Sequence, residues 1–303
     1  MAATCIKRLC FIVIIFSIIV SGTLLPSPHQ ATAQGYYQKA TAQGYQKATW
    51  LWKTERIRTN PQEVLSFLRQ NNVNLVYLQI NIDIPVSYYK SFIKASSKLG
   101  IQVQALDGAP RWGLESERYR IDNFLSWVRA YQKEAAASEK FSGIHVDIEP
   151  HLLSQWKTDQ SDVIRQWQSN VLYLNSEAEK LQLPLSADIP FWLSNYTAAD
   201  GKTPLSRFMI SQYDSVTIMS YRDSAAAINS IAKKELEEAT ALGKQALAAV
   251  ETKPSSEGDF LTFYEEGAAY MNEQLVQLHE LAKVNPSYNG IAIHDFDGWK
   301  DLN

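Results

Sequence analysis

From Trp50 onward, short apolar runs alternate with longer amphipathic stretches, and that alternation restricts the chain to parallel strands covered by helices. Eight such units are legible. Strands are expected near Thr49 to Trp52, Leu75 to Ile80, Val103 to Leu106, Gly143 to Ile148, Leu185 to Ala187, Val216 to Met219, Ala246 to Val250 and Gly290 to Ile293. Helices fit between them, for example Pro61 to Gln70, Tyr88 to Lys98, Arg120 to Ala136, Asp162 to Lys180, Ile228 to Leu242 and Phe263 to Lys283. Asn60 before Pro61 marks a helix start, and Gly100 and Gly243 mark helix ends.

Residues 48–303 supply the length that an eightfold α/β barrel needs, about 250 residues, and the expected fold is a (β/α)8 TIM barrel. A doubly wound open sheet is the rival, but no glycine-rich phosphate loop follows any of the strands.

One strand carries chemistry. In Gly143-Ile144-His145-Val146-Asp147-Ile148-Glu149, the period of two puts Ile144, Val146 and Ile148 on one face and His145, Asp147 and Glu149 on the other. Three stacked ionisable groups are costly to bury, so that face is expected to open on a solvated functional cavity. In a barrel of this kind chemistry gathers where strands end. Those ends present Trp52, Asn81 with Asp83, Asp107 with Trp112, Asp147 with Glu149, Asp188 with Trp192, Tyr221 with Asp223, Glu251, and His294 with Asp295 and Asp297. Acids accept hydrogen bonds from sugar hydroxyls and flat rings cover sugar faces, so the set describes a carbohydrate cleft. Each member also has a plainer role. Trp52, Trp112, Trp192 and Trp299 serve equally well as caps on apolar layers, Asp107 and Asp188 as helix caps, Asp295 and Asp297 as turn residues, and His294 as a packing residue.

The first residues read as a secretory leader: Lys7 and Arg8, the apolar run Phe11 to Val20, and small residues up to Ala33. Cleavage after Ala33 is expected; an uncleaved anchor is the alternative, although the run is short of the roughly 20 apolar residues a span needs. Cys5 and Cys10 both lie in that segment, which leaves the remaining chain without thiol chemistry. Cleavage also removes two cations and no acid from a chain whose formal net charge is already −3, which excludes a nucleic-acid partner. Residues 31 to 49 hold two near-copies of Ala-Thr-Ala-Gln-Gly-Tyr, poor in aliphatic side chains, and are expected to form a flexible tether. The expected organisation is therefore a leader over 1–33, a repeat linker over 34–47 and the barrel over 48–303. The chain is expected to be secreted or held at the cell surface or periplasm, monomeric, with no membrane contact after cleavage. Asn195-Tyr196-Thr197 is a glycosylation acceptor in a host that glycosylates exported proteins.

Ser142 to Glu149 resembles the fourth-strand signature of family-18 glycosidases, the chitinase-like enzymes; Gly143, Asp147 and Glu149 stand where that pattern puts them. Ile218-Met219-Ser220-Tyr221 is similar to the family's Met-x-Tyr element on the sixth strand, and Gly290-Ile291-Ala292-Ile293 to its final strand. The resemblance implies hydrolysis of a 2-acetamido-sugar glycan with help from the substrate's own acetamido group. Glu149 would be the general acid, Asp147 would orient the acetamido group and Tyr221 would hold its carbonyl. Asp107, Trp112, Asp188, Trp192, Glu251 and His294 would contact the substrate, with no cofactor and no metal. The chain departs from the pattern at Ser142 and His145, at Arg222, which intervenes before Asp223, and at His294, which takes the place of a tryptophan.

Three other readings use the same residues. Ile148-Glu149-Pro150 resembles the Asn-Glu-Pro acid element of the large retaining barrel clan, in which Glu251 would be the nucleophile and the two carboxyls would sit about 5 to 5.5 Å apart. A barrel that binds glycans without cleaving them is the second. A metal-dependent hydrolase built on His145, Asp147, Glu149 and His294 is the third and ranks low, because five histidines show no paired ligand spacing.

Overall fold

The computed structural model describes residues 35–41 and 44–303. The leader expected over 1–33 lies outside the described residues. Eight parallel strands close into a barrel in sequence order: β1 Gln46–Leu51, β2 Leu75–Gln79, β3 Gln102–Asp107, β4 Gly143–Val146, β5 Leu185–Pro190, β6 Ser215–Met219, β7 Gln245–Glu251 and β8 Tyr288–His294, with β8 pairing back onto β1. The principal helices that follow them are α1 Pro61–Gln70, α2 Val86–Lys98, α3 Arg118–Glu134, α4 Gln160–Leu181, α5 Leu205–Gln212, α6 Ala225–Leu242, α7 Gly267–Ala282 and α8 Phe296–Asp301. This is the (β/α)8 barrel that the alternation predicts.

Strand alternation divides the core in two. Outward residues such as Ile144, Val146, Val216 and Ile293 pack beneath the helices. Inward residues Ala48, Trp50, Leu75, Tyr77, Leu106, Leu247, Ala249 and Ala292 fill the barrel, with Trp52 and Tyr221 above them. Gly100 and Gly243 have positive φ, 75° and 66°, where the chain turns off α2 and α6. The helix expected from Phe263 starts instead at Gly267, because the Phe263 amide is spent on the Glu251 carbonyl, 3.0 Å away, and holds the β7–α7 loop against the barrel.

The repeat segment differs from a free tether. Residues 35–41 are helical with Tyr37 and Ala40 buried, the Tyr36 hydroxyl bonds Glu280, and the Tyr45 ring meets His279 on α7 edge-on at 4.4 Å. Gln46 and Lys47, assigned to the linker from sequence, belong to β1. The tyrosines supply the apolar surface that the missing aliphatics do not.

Lys47 is 3 % exposed, with its ammonium 4.3 Å from the centre of the Tyr37 ring and 5.0 Å from that of Trp299. Burial pushes its pKa down from 10.5 to about 7. Between those values the unfolded chain binds the proton and the folded chain does not, so stability rises with pH across that window. The Lys47→Met protein is expected to melt at a higher temperature, with a larger gain near about pH 6 than near about pH 9. Thermal denaturation at both pH values checks it; an equal change at both would assign the effect to packing alone.

Candidate active site

Strand β4 places its residues as the period of two requires. Ile144, Val146 and Ile148 are buried in the helix-facing core, whereas His145 points inside the barrel and stacks on Tyr77 with ring centres 3.6 Å apart. His145 corrects the expectation of a solvated face, because it is fully buried. Its cost is offset by partners from other strands. The Ser186 hydroxyl donates to Gln104 Oε1 at 2.7 Å, which leaves its oxygen to accept from His145 Nδ1, also at 2.7 Å. His145 Nε2 lies 3.0 Å from Asp188 Oδ1, and Asp188 Oδ2 accepts from Trp50 Nε1 at 2.9 Å. Asp188 is therefore a buried charge beneath the site and not a residue of the cleft surface.

Asp147 and Glu149 follow the end of β4. The Asp147 amide donates to the Asp107 carbonyl at 3.2 Å, and the loop after β3 crosses so closely that a Cβ on Gly108 would lie 1.9 Å from the Asp147 carbonyl oxygen. Only glycine fits there. Asp147 Oδ1 is buried with no hydrogen-bond partner. Burial, then the charges of Asp188 and Glu149, raise the Asp147 pKa well above the usual carboxylate range. Burial and Asp188 likewise raise that of Glu149, opposed by His294. Two neighbouring carboxyls of this kind ionise one before the other, so the pair can hold one proton to donate and one negative charge. His151 Nε2 lies 3.5 Å from Glu149 Oε2, and burial lowers the imidazole's pKa. Tyr221, just past β6, keeps its phenolic proton, because burial and the charges of Asp188, Glu251, Asp147 and Glu149 push its pKa up.

Across from them, Glu251 and His294 are register partners at the ends of β7 and β8. Glu251 Oε1 accepts from the amides of Thr252 and Lys253 at 2.8 and 2.9 Å, and Oε2 faces His294 Nδ1 at 2.8 Å. Trp52 Nε1 donates to His294 Nε2 at 3.0 Å. An indole only donates, so Nε2 accepts and the Nδ1 proton goes to Glu251. Burial disfavours the imidazolium, but the Glu251 hydrogen bond and charge, with Asp295 and Asp188, outweigh it and raise the His294 pKa.

A cleft of about 540 Å³ opens above this layer, and Glu149, Trp192, Tyr221 and Glu251 line it. His294 sits directly behind Glu251. Asp107 and Trp112 do not join them: both line a separate pocket of about 300 Å³ beside α3. Asp107 accepts from Gln79 and from the Gly108 amide, and Trp112 is 3 % exposed against Phe124. Trp112 is thus a packing residue and no platform for a sugar. Asp295 caps α8 through the Gly298 amide and bonds Lys253, and Asp297 pairs with Lys53 and Arg56, as their turn roles require. Among the lining residues that the sequence reading did not assign to the site are His151, Phe191, Arg222 and Lys253. A signal was present for two of them, the doublet Phe191-Trp192 after β5 and the insertion of Arg222 after Tyr221. Among the described residues no group of three or more His, Cys, Asp or Glu side chains is arranged to hold a metal ion, and no helix is long and apolar enough to cross a membrane.

No protein-family model matches the chain, and no curated protein matches it by sequence. Solved structures do match. The spore cortex-lytic enzyme SleL of Bacillus megaterium QM B1551 is 11 % identical with a TM-score of 0.54, over 82 % of this chain and 70 % of its own. A chitinase from Bacteroides thetaiotaomicron is 10 % identical with a TM-score of 0.52, over 84 % of this chain and 90 % of its own. At these identities the likeness shows the fold, a barrel shared with chitinase-like glycoside hydrolases.

Proposed function

We propose that the chain is a divergent member of the family-18 glycosidases, exported by its leader, that hydrolyses a glycan of 2-acetamido sugars with Glu149 as general acid. The carrying observation is the pair Asp147 and Glu149, two residues apart at one strand end, both with raised pKa, below a cleft rimmed by aromatic rings. Protonated Glu149 gives its proton to the glycosidic oxygen as the bond to the anomeric carbon breaks. The acetamido carbonyl oxygen attacks that carbon and forms a cyclic oxazolinium ion. Asp147, with a buried carboxylate oxygen that lacks a partner, accepts from the acetamido N–H and stabilises the charge. Tyr221 donates its hydroxyl to the carbonyl oxygen. Glu149, now a carboxylate, takes a proton from water as the water opens the ring, and ends the cycle protonated. Glu251 is engaged on the other side: Oε1 accepts from two amides and Oε2 faces His294 Nδ1, so a nucleophilic role for Oε2 would have to give up or share the bond to His294.

Release of reducing ends from a polysaccharide panel tests the reading. Cleavage of at least one glycan rich in 2-acetamido sugars is expected, while binding of a glycan with no release from any would make the barrel a lectin. The pH profile adds a second test. Activity needs the proton on Glu149, so kcat/KM falls as pH rises through its elevated pKa. Asp188 is one cause of that elevation, so Asp188→Asn, which keeps an acceptor for Trp50, is expected to move the alkaline limb to lower pH. A limb that stays in place would remove Asp188 from the account.

A further inference from the structure

The cleft holds a cation that the hydrolytic scheme does not use. Arg222 follows Tyr221 directly and lines the same cleft as Glu149 and Trp192. Its guanidinium carbon lies 5.4 Å from the centre of the Phe191 ring and 5.3 Å from that of Phe260, and Nη1 donates to the Tyr221 carbonyl at 2.7 Å. Two rings and one backbone bond fix the fork, and Arg222 joins none of the ion pairs found among the described residues. The other charges of the cleft are committed. Glu251 is tied to His294, Lys253 is tied to Asp295, and Glu149 faces His151; Glu257 sits on an exposed loop and is not paired with Arg222.

We infer that Arg222 is a specificity residue that reads a carboxylate on the glycan, at or beside the sugar being cleaved, so that the substrate class is an acidic glycan and not a neutral one. A preoriented guanidinium with free N–H donors pairs with a planar carboxylate through two parallel bonds, and aromatic faces hold it without neutralising it. This rests on the reading of the cleft as a glycan site. The carboxylate could be a lactyl ether on a 2-acetamido sugar or a neighbouring uronic acid.

Both sources are tested by binding to the Glu149→Gln protein, so that turnover does not intervene. The probes are soluble bacterial wall-glycan strands bearing lactyl carboxylates, and hyaluronan oligosaccharides bearing uronates, each beside its carboxyl-reduced form. In at least one arm the acid form is expected to bind about tenfold more tightly or better. Adding Arg222→Gln should bring that ratio near unity, and Arg222→Lys should restore part of it. A ratio near unity with Arg222 present in both arms, an unchanged ratio in Arg222→Gln, or no binding in either arm would overturn the assignment. The hydrolase reading fails separately. If the otherwise unaltered chain cleaves neither glycan while the Arg222-dependent ratio holds, the carboxylate site stands and the enzyme does not.

Discussion

Glu149→Gln is expected to lower kcat on a natural glycan by roughly 10²- to 10⁴-fold, the usual contribution of a positioned general acid, while leaving the dissociation constant for the uncleaved glycan nearly unchanged. The amide keeps the shape and accepts hydrogen bonds but has no acidic proton to give. Glu149 is held at the end of β4 by a backbone continuous with the barrel, and its neighbours Pro150 and Ile148 are buried, so the substitution should not displace it. The loss should depend on the leaving group. An aryl glycoside whose phenol departs without protonation should be cleaved by the mutant far better, relative to the unaltered chain, than a sugar–sugar bond. Initial rates on both substrates, with calorimetric binding, measure this. An equal loss on both would assign Glu149 a structural role.

The second large effect separates the carboxylates. Asp147→Asn should cost about 10²- to 10³-fold in kcat, because it removes a preorganised charge from the place where positive charge develops. Glu251→Ala should cost less, about tenfold or below, through the loosened imidazole of His294 and not through chemistry. Azide should not rescue it. Rescue by azide with formation of a glycosyl azide would mean that Glu251 is the nucleophile and that the two-carboxylate scheme operates. Single-turnover kinetics on the two variants, with and without azide, decide between them.

What could be read from the sequence is what local periodicity encodes. The two faces of β4, the eight strands and their closure follow from apolar spacing, and a carboxylate just past a strand end has only one end of the barrel to occupy. Glu149, Tyr221 and Glu251 were placed on the cleft by that rule alone. The rule fails where a side chain's surroundings come from distant strands. His145 looked exposed because nothing in its own segment shows that Tyr77, Ser186 and Asp188 converge on it from β2 and β5. Trp112 looked like a sugar platform because its cover, Phe124, comes from α3, whereas Phe260, which is 52 % exposed and stands beside Arg222, sits on a single 3-10 turn, Asp259–Leu261, too short to show in the periodicity. The repeat segment misled for the same reason, since its tyrosines find their partners on α7, more than two hundred residues away.

Substrate assistance by the pair Asp147 and Glu149 is tested most directly by changing the substrate's own nucleophile. On a series of aryl oligosaccharides whose terminal 2-acetamido group carries none, one, two or three fluorines, kcat/KM should fall steeply at each step as the carbonyl oxygen loses nucleophilicity. A rate that does not change along the series would show that the acetamido group takes no part in bond breaking, and would contradict the roles assigned to Asp147 and Tyr221.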